Sequence, residues 1–304
     1  MPTDRPGRPG RPGAGKWRET PVSDAYGATI AKWTLSRRLK DLRLASGYTA
    51  NQVCDRLNWG RGKVGRFEAN NWVRPELSDI RDLARLYEAG EQVADELEAL
   101  ARSARRRAWW REYGEVFGNV EFPGFENDAS EILVYTPLLI PGLLQTVPYL
   151  QTLLSYGSTT PEWRELALRA RLRRQQILER DEDSAPRLTA LVTEAALLYR
   201  WGGDGDVRGQ YAHLLKMAER PNVELRLLRF EDGLHPGMAT VFHIFRFPGG
   251  EPPMVYQETD AAIRDIDPAD KVEAYELTYE QIKEAALGPA ESAEYISKLM
   301  ATLE

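Results

Sequence analysis

Residues 48–68, YTANQVCDRLNWGRGKVGRFE, constrain this chain more than any other stretch. Thr49 is an N-cap residue, and Gln52 three positions later completes a capping box, so a helix starts here. Val53, Cys54 and Leu57 then fall on one face of a short helix. Asn58 stands where the chain has to turn through a left-handed conformation, which Asn tolerates better than most residues. A second helix is expected over 60–70, with Val64 and Phe67 inward and Arg61, Lys63 and Arg66 outward. Two short helices at this spacing make a helix-turn-helix, the geometry that lays the second helix in the DNA major groove. A surface helical hairpin has the same outline, so the neighbours have to decide between them.

The neighbours favour a nucleic-acid partner. Leu35, Leu39 and Leu42 form an apolar stripe on a preceding helix whose other positions include Arg37, Arg38, Lys40 and Arg43. After a turn-rich loop at 70–75, Ile80, Leu83, Leu86 and Tyr87 mark a further helix. Residues 29–90 are therefore expected to form a helix-turn-helix domain of four or five helices, large enough to bury a core. Its candidate DNA contacts are Thr49, Asn51 and Gln52 on the first motif helix, Arg61, Gly62, Lys63 and Arg66 on the second, and Asn70 and Asn71 beyond it. Gly62 and Gly65 are expected inside the second helix, where each costs up to about 1 kcal/mol relative to Ala. Close backbone approach to DNA and tolerated drift both account for them.

Charge is divided along the chain. Net charge is −6 with a pI near 5.4. Residues 1–111 hold 22 Lys and Arg against 14 Asp and Glu, and the remainder holds 18 against 32. That split suits a protein of which only one half meets phosphate. Cys54, the single cysteine, allows no intramolecular disulfide and no Cys-based zinc site. Its inward place makes it an apolar filler rather than a redox sensor, which is usually exposed. No apolar run approaches 18 residues and no signal peptide is evident, so a cytoplasmic, nucleoid-associated protein with no membrane partner is expected.

Residues 1–28 are expected to be a disordered tail, because Arg, Pro and Gly in the repeat at 5–13 cannot build a core. A solvated tail is the simpler account of it. An arm entering a narrow minor groove is the alternative. Residues 91–111 are expected to be a linker helix, with Val93, Leu97, Leu100 and Ala101 on one face, Arg105, Arg106 and Arg107 near its end, and a hinge at Trp109 and Trp110. In 112–304, prolines at 137 and 141 split an apolar run, and Thr160 and Pro161 start a helix carrying six arginines. Stretches at 187–192, 223–230, 240–247 and 254–259 alternate like strands, with helices at 207–219 and from 267 onward. The expected fold class is α+β, an all-α N-terminal domain followed by a larger domain with a small, mostly antiparallel sheet.

Residues 35–68 resemble the helix-turn-helix of XRE (Cro/C1-type) regulators, with Cys54 in the place of the usual small residue, Asn58 for the usual turn Gly, Gly60 for the usual Ser or Thr, and Ala50 where Gln is common. A second resemblance covers most of the chain. Trp109 and Trp110, 140–146 (IPGLLQT), 171–178 (RLRRQQIL), 193–197 (TEAAL) and 221–225 (PNVEL) are similar to segments of actinobacterial regulators that join this motif to a C-terminal domain of unassigned role. The resemblance implies a transcription factor. It also implies an alternative, an antitoxin-like module that binds a short partner protein, with DNA binding as autoregulation.

Catalytic chemistry finds little support. His213, His235 and His243 show no ligand spacing, and there is no nucleophile elbow or P-loop. Residues 201–206 lack the downstream Glu of a calcium loop, and Asp260, Asp265, Asp267 and Asp270 are explained as caps and solvated loop. The expectation is a non-enzymatic regulator without cofactor or metal. It binds double-stranded DNA as a homodimer, since one recognition helix reads a half-site, and its C-terminal domain answers to a small-molecule effector or a short partner protein.

Overall fold

In a computed structural model of the chain, residues 26–303 are described apart from 73, 119, 158, 239, 260 and 261. The Arg-Pro-Gly repeat at 5–13 and Asp260 lie outside the described residues. Five helices come first: α1 (Ala28–Ala45), α2 (Ala50–Arg56), α3 (Lys63–Glu68), α4 (Leu77–Leu86) and α5 (Glu91–Ala104). The apolar stripe read on α1 is Leu35 and Leu39, both buried, together with Ile30 and Ala31. Val53, Cys54, Val64, Phe67, Ile80 and Leu83 close the core around it.

The segment read as a linker, 91–111, divides in two. Its helical part, α5, buries Leu97, Leu100 and Ala101 against α1 and α4, because its apolar face is wide enough to need a partner. Glu98, buried at one end of that face, takes Arg81 and Arg102. Trp109 and Trp110 then form a 3-10 turn whose rings meet edge to face, with Trp110 buried. The short helices α6 (Gly114–Phe117) and α7 (Phe122–Asp128) follow.

The larger part is built on one six-stranded sheet. Its strands are β1 (Glu131–Thr136), β2 (Arg187–Thr193), β3 (Val223–Leu228), β4 (Phe242–Arg246), β5 (Met254–Thr259) and β6 (Ala262–Ile266), in spatial order β3-β2-β1-β4-β5-β6. β1–β4, β4–β5 and β5–β6 pair antiparallel, the last two between strands consecutive in sequence. β1–β2 and β2–β3 pair parallel. A parallel pair needs a long crossover, and two are present: α8 (Val147–Ser155) with α9 (Pro161–Gln175), then α10 (Glu194–Leu198) with α11 (Asp204–Ala218). The fold is α+β, and its sheet is mixed.

Both faces of the sheet are covered. Leu133, Tyr135, Leu191, Phe242, Ile244 and Val255 point at α12 (Ala269–Ala285), where Val272, Tyr279 and Ile282 meet them and the Tyr279 hydroxyl donates to the Thr189 carbonyl at 2.8 Å. Alternate residues such as Val134, Ala190, Leu225 and Leu227 face the opposite way, where α11 and α13 (Pro289–Ala301) cover β3. The segment 140–146 is tied down by glutamines. Gln145 donates to the Ile140 carbonyl, Gln175 to those of Gly142 and Gln145, and Gln210 to that of Leu144. Among the arginines of α9, Arg174 makes a bidentate pair with buried Glu126 at 2.7 and 2.8 Å.

One apolar core runs through both parts. α1 has Gly27 as its N-cap and therefore no capping side chain of its own. Asp128 from α7 supplies the cap, accepting from the Thr29 and Ile30 amides at 3.1 Å each, where a carboxylate also suits the helix dipole. Gly124 has to be glycine at this joint, since a Cβ there would lie 2.0 Å from Thr29 Oγ1 and 2.6 Å from the Trp110 ring. Farther along α1, Glu251 accepts from Thr34 Oγ1 at 2.9 Å and from Arg37 at 2.7 Å. Trp33 packs on Phe247 with ring centroids 6.3 Å apart. The five N-terminal helices are thus seated on the sheet domain through α1 and share its core.

Candidate nucleic-acid interface

The expected capping box is present: the Gln52 amide donates to Thr49 Oγ1 at 3.3 Å, and the Thr49 amide donates to Gln52 Oε1 at 2.9 Å. α2 runs to Arg56, and Asn58 takes the left-handed conformation, with φ 54°. The turn is closed by the Trp59 amide donating to the Cys54 carbonyl at 2.8 Å. Cys54 is buried.

The second helix starts later than 60. Gly62, with φ 82°, is the N-cap of α3, which covers Lys63–Glu68. Gly62 is therefore a turn residue whose left-handed backbone favours glycine, not a weak point inside a helix. Gly60 and Arg61 belong to the same turn, and Gly65 alone remains in the helix interior. Phe67 sits between Trp59 and Trp72, at centroid distances of 6.4 and 5.9 Å. The Trp72 indole N–H donates to Ser36 Oγ at 3.0 Å and so fixes this stack to α1. Arg43 clasps Glu68 at the far end of α3, at 2.6 and 2.8 Å.

The nine expected contact residues separate by what they touch. Thr49, Asn51, Gln52, Arg61, Gly62, Arg66 and Asn71 are exposed. Lys63 is turned back into the protein: its Nζ lies 2.7 Å from Asp79 of α4 and 4.0 Å from the centroid of the Trp59 ring. Asn70, at φ 56°, donates from Nδ2 to Glu121 at 3.0 Å and accepts from Ser36 Oγ at 3.3 Å, so it joins α3 to α1 and the sheet domain. The sequence places Lys63 outward and Asn70 in the loop beyond the helix, and the structure engages both for a shared reason. Each has a carboxylate partner that no local pattern reveals.

The basic positions of α1 are similarly occupied. Lys32 pairs with Glu121 at 3.0 Å, Arg37 with Glu251, and Arg38 with Glu96 at 2.8 Å. Among the described residues of 28–104, the exposed cations without an ion pair are Lys40, Arg56, Arg61, Arg66 and Arg74. Arg56, on α2 and stacked over the Tyr48 ring at 4.7 Å, and Arg74, in the loop after the motif, carry no periodic signal that marks them out. Arg61 and Arg66 are therefore exposed cations on the motif, which also exposes the polar Asn51 and Gln52.

No group of three or more His, Cys, Asp or Glu converges as metal ligands among the described residues. His243 lies beside Phe122, Phe245 and Tyr256, and burial holds its pKa down, to about 3. No described helix is long and apolar enough to cross a membrane.

This arrangement is that of a helix-turn-helix domain, and the pattern of that domain matches residues 34–97, which suggests DNA as a partner and a regulatory role. A second pattern, described as a domain of unknown function (DUF5753), matches 120–298, more than half of the chain. The chain belongs to the DUF5753 family. No curated protein and no solved structure matches it.

Proposed function

We propose that this protein is a sequence-specific transcriptional regulator of the XRE (Cro/C1) type, cytoplasmic and without enzymatic activity. Arg61 and Arg66 read base edges in the major groove. Thr49, Asn51, Gln52 and Asn71 contact the backbone around them. The observation that carries this reading is the charge pairing. Lys32, Arg37, Arg38, Arg43 and Lys63 are held by carboxylates, whereas Arg61 and Arg66 are exposed without ion pairs on the face of the motif. A homodimer supplies the second half-site. The DUF5753 domain, seated directly on α1, is the part that passes the state of an effector or partner to the helices.

Selection from random DNA with the full chain tests this. It should enrich one sequence, and anisotropy should show Arg61→Ala and Arg66→Ala each losing about 1–3 kcal/mol and relaxing preference at one or two base positions. An unenriched pool, or both variants keeping wild-type preference, refutes the reading.

A further inference from the structure

Twelve large apolar side chains stand exposed among the described residues, and eight of them collect at one end of the sheet. The topology explains why. β1, β2 and β3 are parallel, so their carboxyl ends share one edge, and antiparallel β4 begins at that same edge. The loop at 137–141, helix α10 with the residues up to 203, and the described residues of the loop at 229–241 adjoin these strand ends. They carry Leu138 and Leu139, Leu198 and Tyr199, and Phe230 and Leu234, with two further apolar residues in the third segment. Leu234 is 91% exposed.

The three segments are stitched into one surface. Thr193 Oγ1 donates to the Pro137 carbonyl at 2.5 Å, the Phe230 amide donates to Glu194 at 2.7 Å, and the His235 ring meets that of Tyr135 at 5.8 Å. Scattered exposed apolar residues are ordinary, but a contiguous patch of this kind marks an interaction site.

Charge decides what the patch receives. Residues 194–206 and 229–241 hold five carboxylates and two arginines. Both arginines are already engaged, Arg200 with Asp204 and Arg229 with Asp232, each at 2.5 Å. The rim is therefore acidic in net. A second copy of this chain would set that rim against itself. We infer that the carboxyl edge of the sheet docks a segment of a different protein, one whose apolar side chains are flanked by lysine or arginine. The edge lies at the far end of β1 from α7, on which α1 is seated, so a docked partner leaves the Arg61 and Arg66 face uncovered.

Two fluorescein-labelled amphipathic peptides test this, with the same leucine positions and either lysine or glutamate between them. Each is titrated by anisotropy into the full chain and into a Phe230→Ser/Leu234→Ser variant. Leu44→Ser, at an exposed apolar residue elsewhere, serves as the control. The lysine peptide should bind at least tenfold more tightly than the glutamate peptide. The double variant should lose at least tenfold while Leu44→Ser loses nothing, with unchanged circular dichroism melting in both. Equal binding of the two peptides, no binding of either, or a double variant that binds like wild type overturns the inference. So does sedimentation of a wild-type dimer that the double variant dissolves, since a second copy would then be the occupant. Any of these results leaves the DNA reading as it stands.

Discussion

Replacing Glu251 with alanine should weaken the seat of the helix-turn-helix more than any surface change. The Glu251 side chain is 3% exposed and accepts from Thr34 Oγ1 and Arg37, with Arg38 3.8 Å away. Its loss leaves the fully buried Thr34 hydroxyl without a partner, at about 1–3 kcal/mol. It also leaves Arg37 with only Asp41, 3.7 Å away, while Arg38 keeps its pair with Glu96. Removing one partner of a buried ion pair costs about 3–5 kcal/mol, but Arg37 is 32% exposed and water takes up part of that charge. The expected total is about 3 kcal/mol, a fall in Tm of roughly 6 °C for a chain of this size. Glu251→Gln keeps an acceptor for Thr34 and should lose about half as much. Differential scanning calorimetry gives the magnitude, and hydrogen exchange gives the place: amides of Ala28–Ala45 should lose protection while those of α12 keep it. A melt within 1 °C of wild type, or exchange that rises equally throughout the chain, would refute the argument that this carboxylate holds α1 to the sheet domain.

Three further outcomes are expected. Gly62→Ala strains a left-handed N-cap and should cost about 1 kcal/mol in chemical denaturation, whereas Gly65→Ala, at a helical position with open space around it, should be neutral or stabilising. Lys63→Ala removes the Asp79 pair and should lower stability by less than about 1 kcal/mol while leaving the salt dependence of DNA binding unchanged, whereas Arg56→Ala or Arg74→Ala should make the slope of log K against log salt shallower by about 0.9 if each meets one phosphate. His243, whose pKa is held down to about 3 by burial, stays neutral in the folded chain while the unfolded chain protonates near 6.5. Stability is therefore lost as pH falls below about 6.5, and His243→Phe should melt closer to wild type, or above it, at pH 4.5 than at pH 7.5. A difference between the two proteins that does not change with pH counts against this.

Local chemistry was legible in the sequence, and long-range pairing was not. The Thr49–Gln52 box and the turn at Asn58 depend on neighbours within a few residues, and both are found as the sequence suggests. β2, β3, β4 and β5 showed in their alternation. β1 did not, because residues pointing to both faces of it are buried and its apolar run passes straight into Pro137. The parallel pairings are not legible in sequence, since they depend on where two crossovers bring the chain back. At the interface, periodicity gave the outward positions but not their engagements. Asn70 is claimed by Glu121, 51 residues away, and Lys63 by Asp79 on the next helix, α4. Gly62 looked like a helix-interior residue because spacing alone does not separate the last turn residue from the first helical one.

The seating of α1 also bears on how an operator must be laid out. Asp128 at its start and Glu251 along its length fix α1 to the sheet domain, and Arg43 of α1 holds Glu68 at the end of α3, so each protomer of the proposed dimer presents its reading surface at one set angle. Each base pair added between half-sites turns one of them by about 34° around the duplex, at roughly 10.5 base pairs per turn. A tethered reader follows such a rotation, but a seated one does not. The protein should therefore act as a gauge of helical phase, accepting a whole added turn of DNA more readily than half of one.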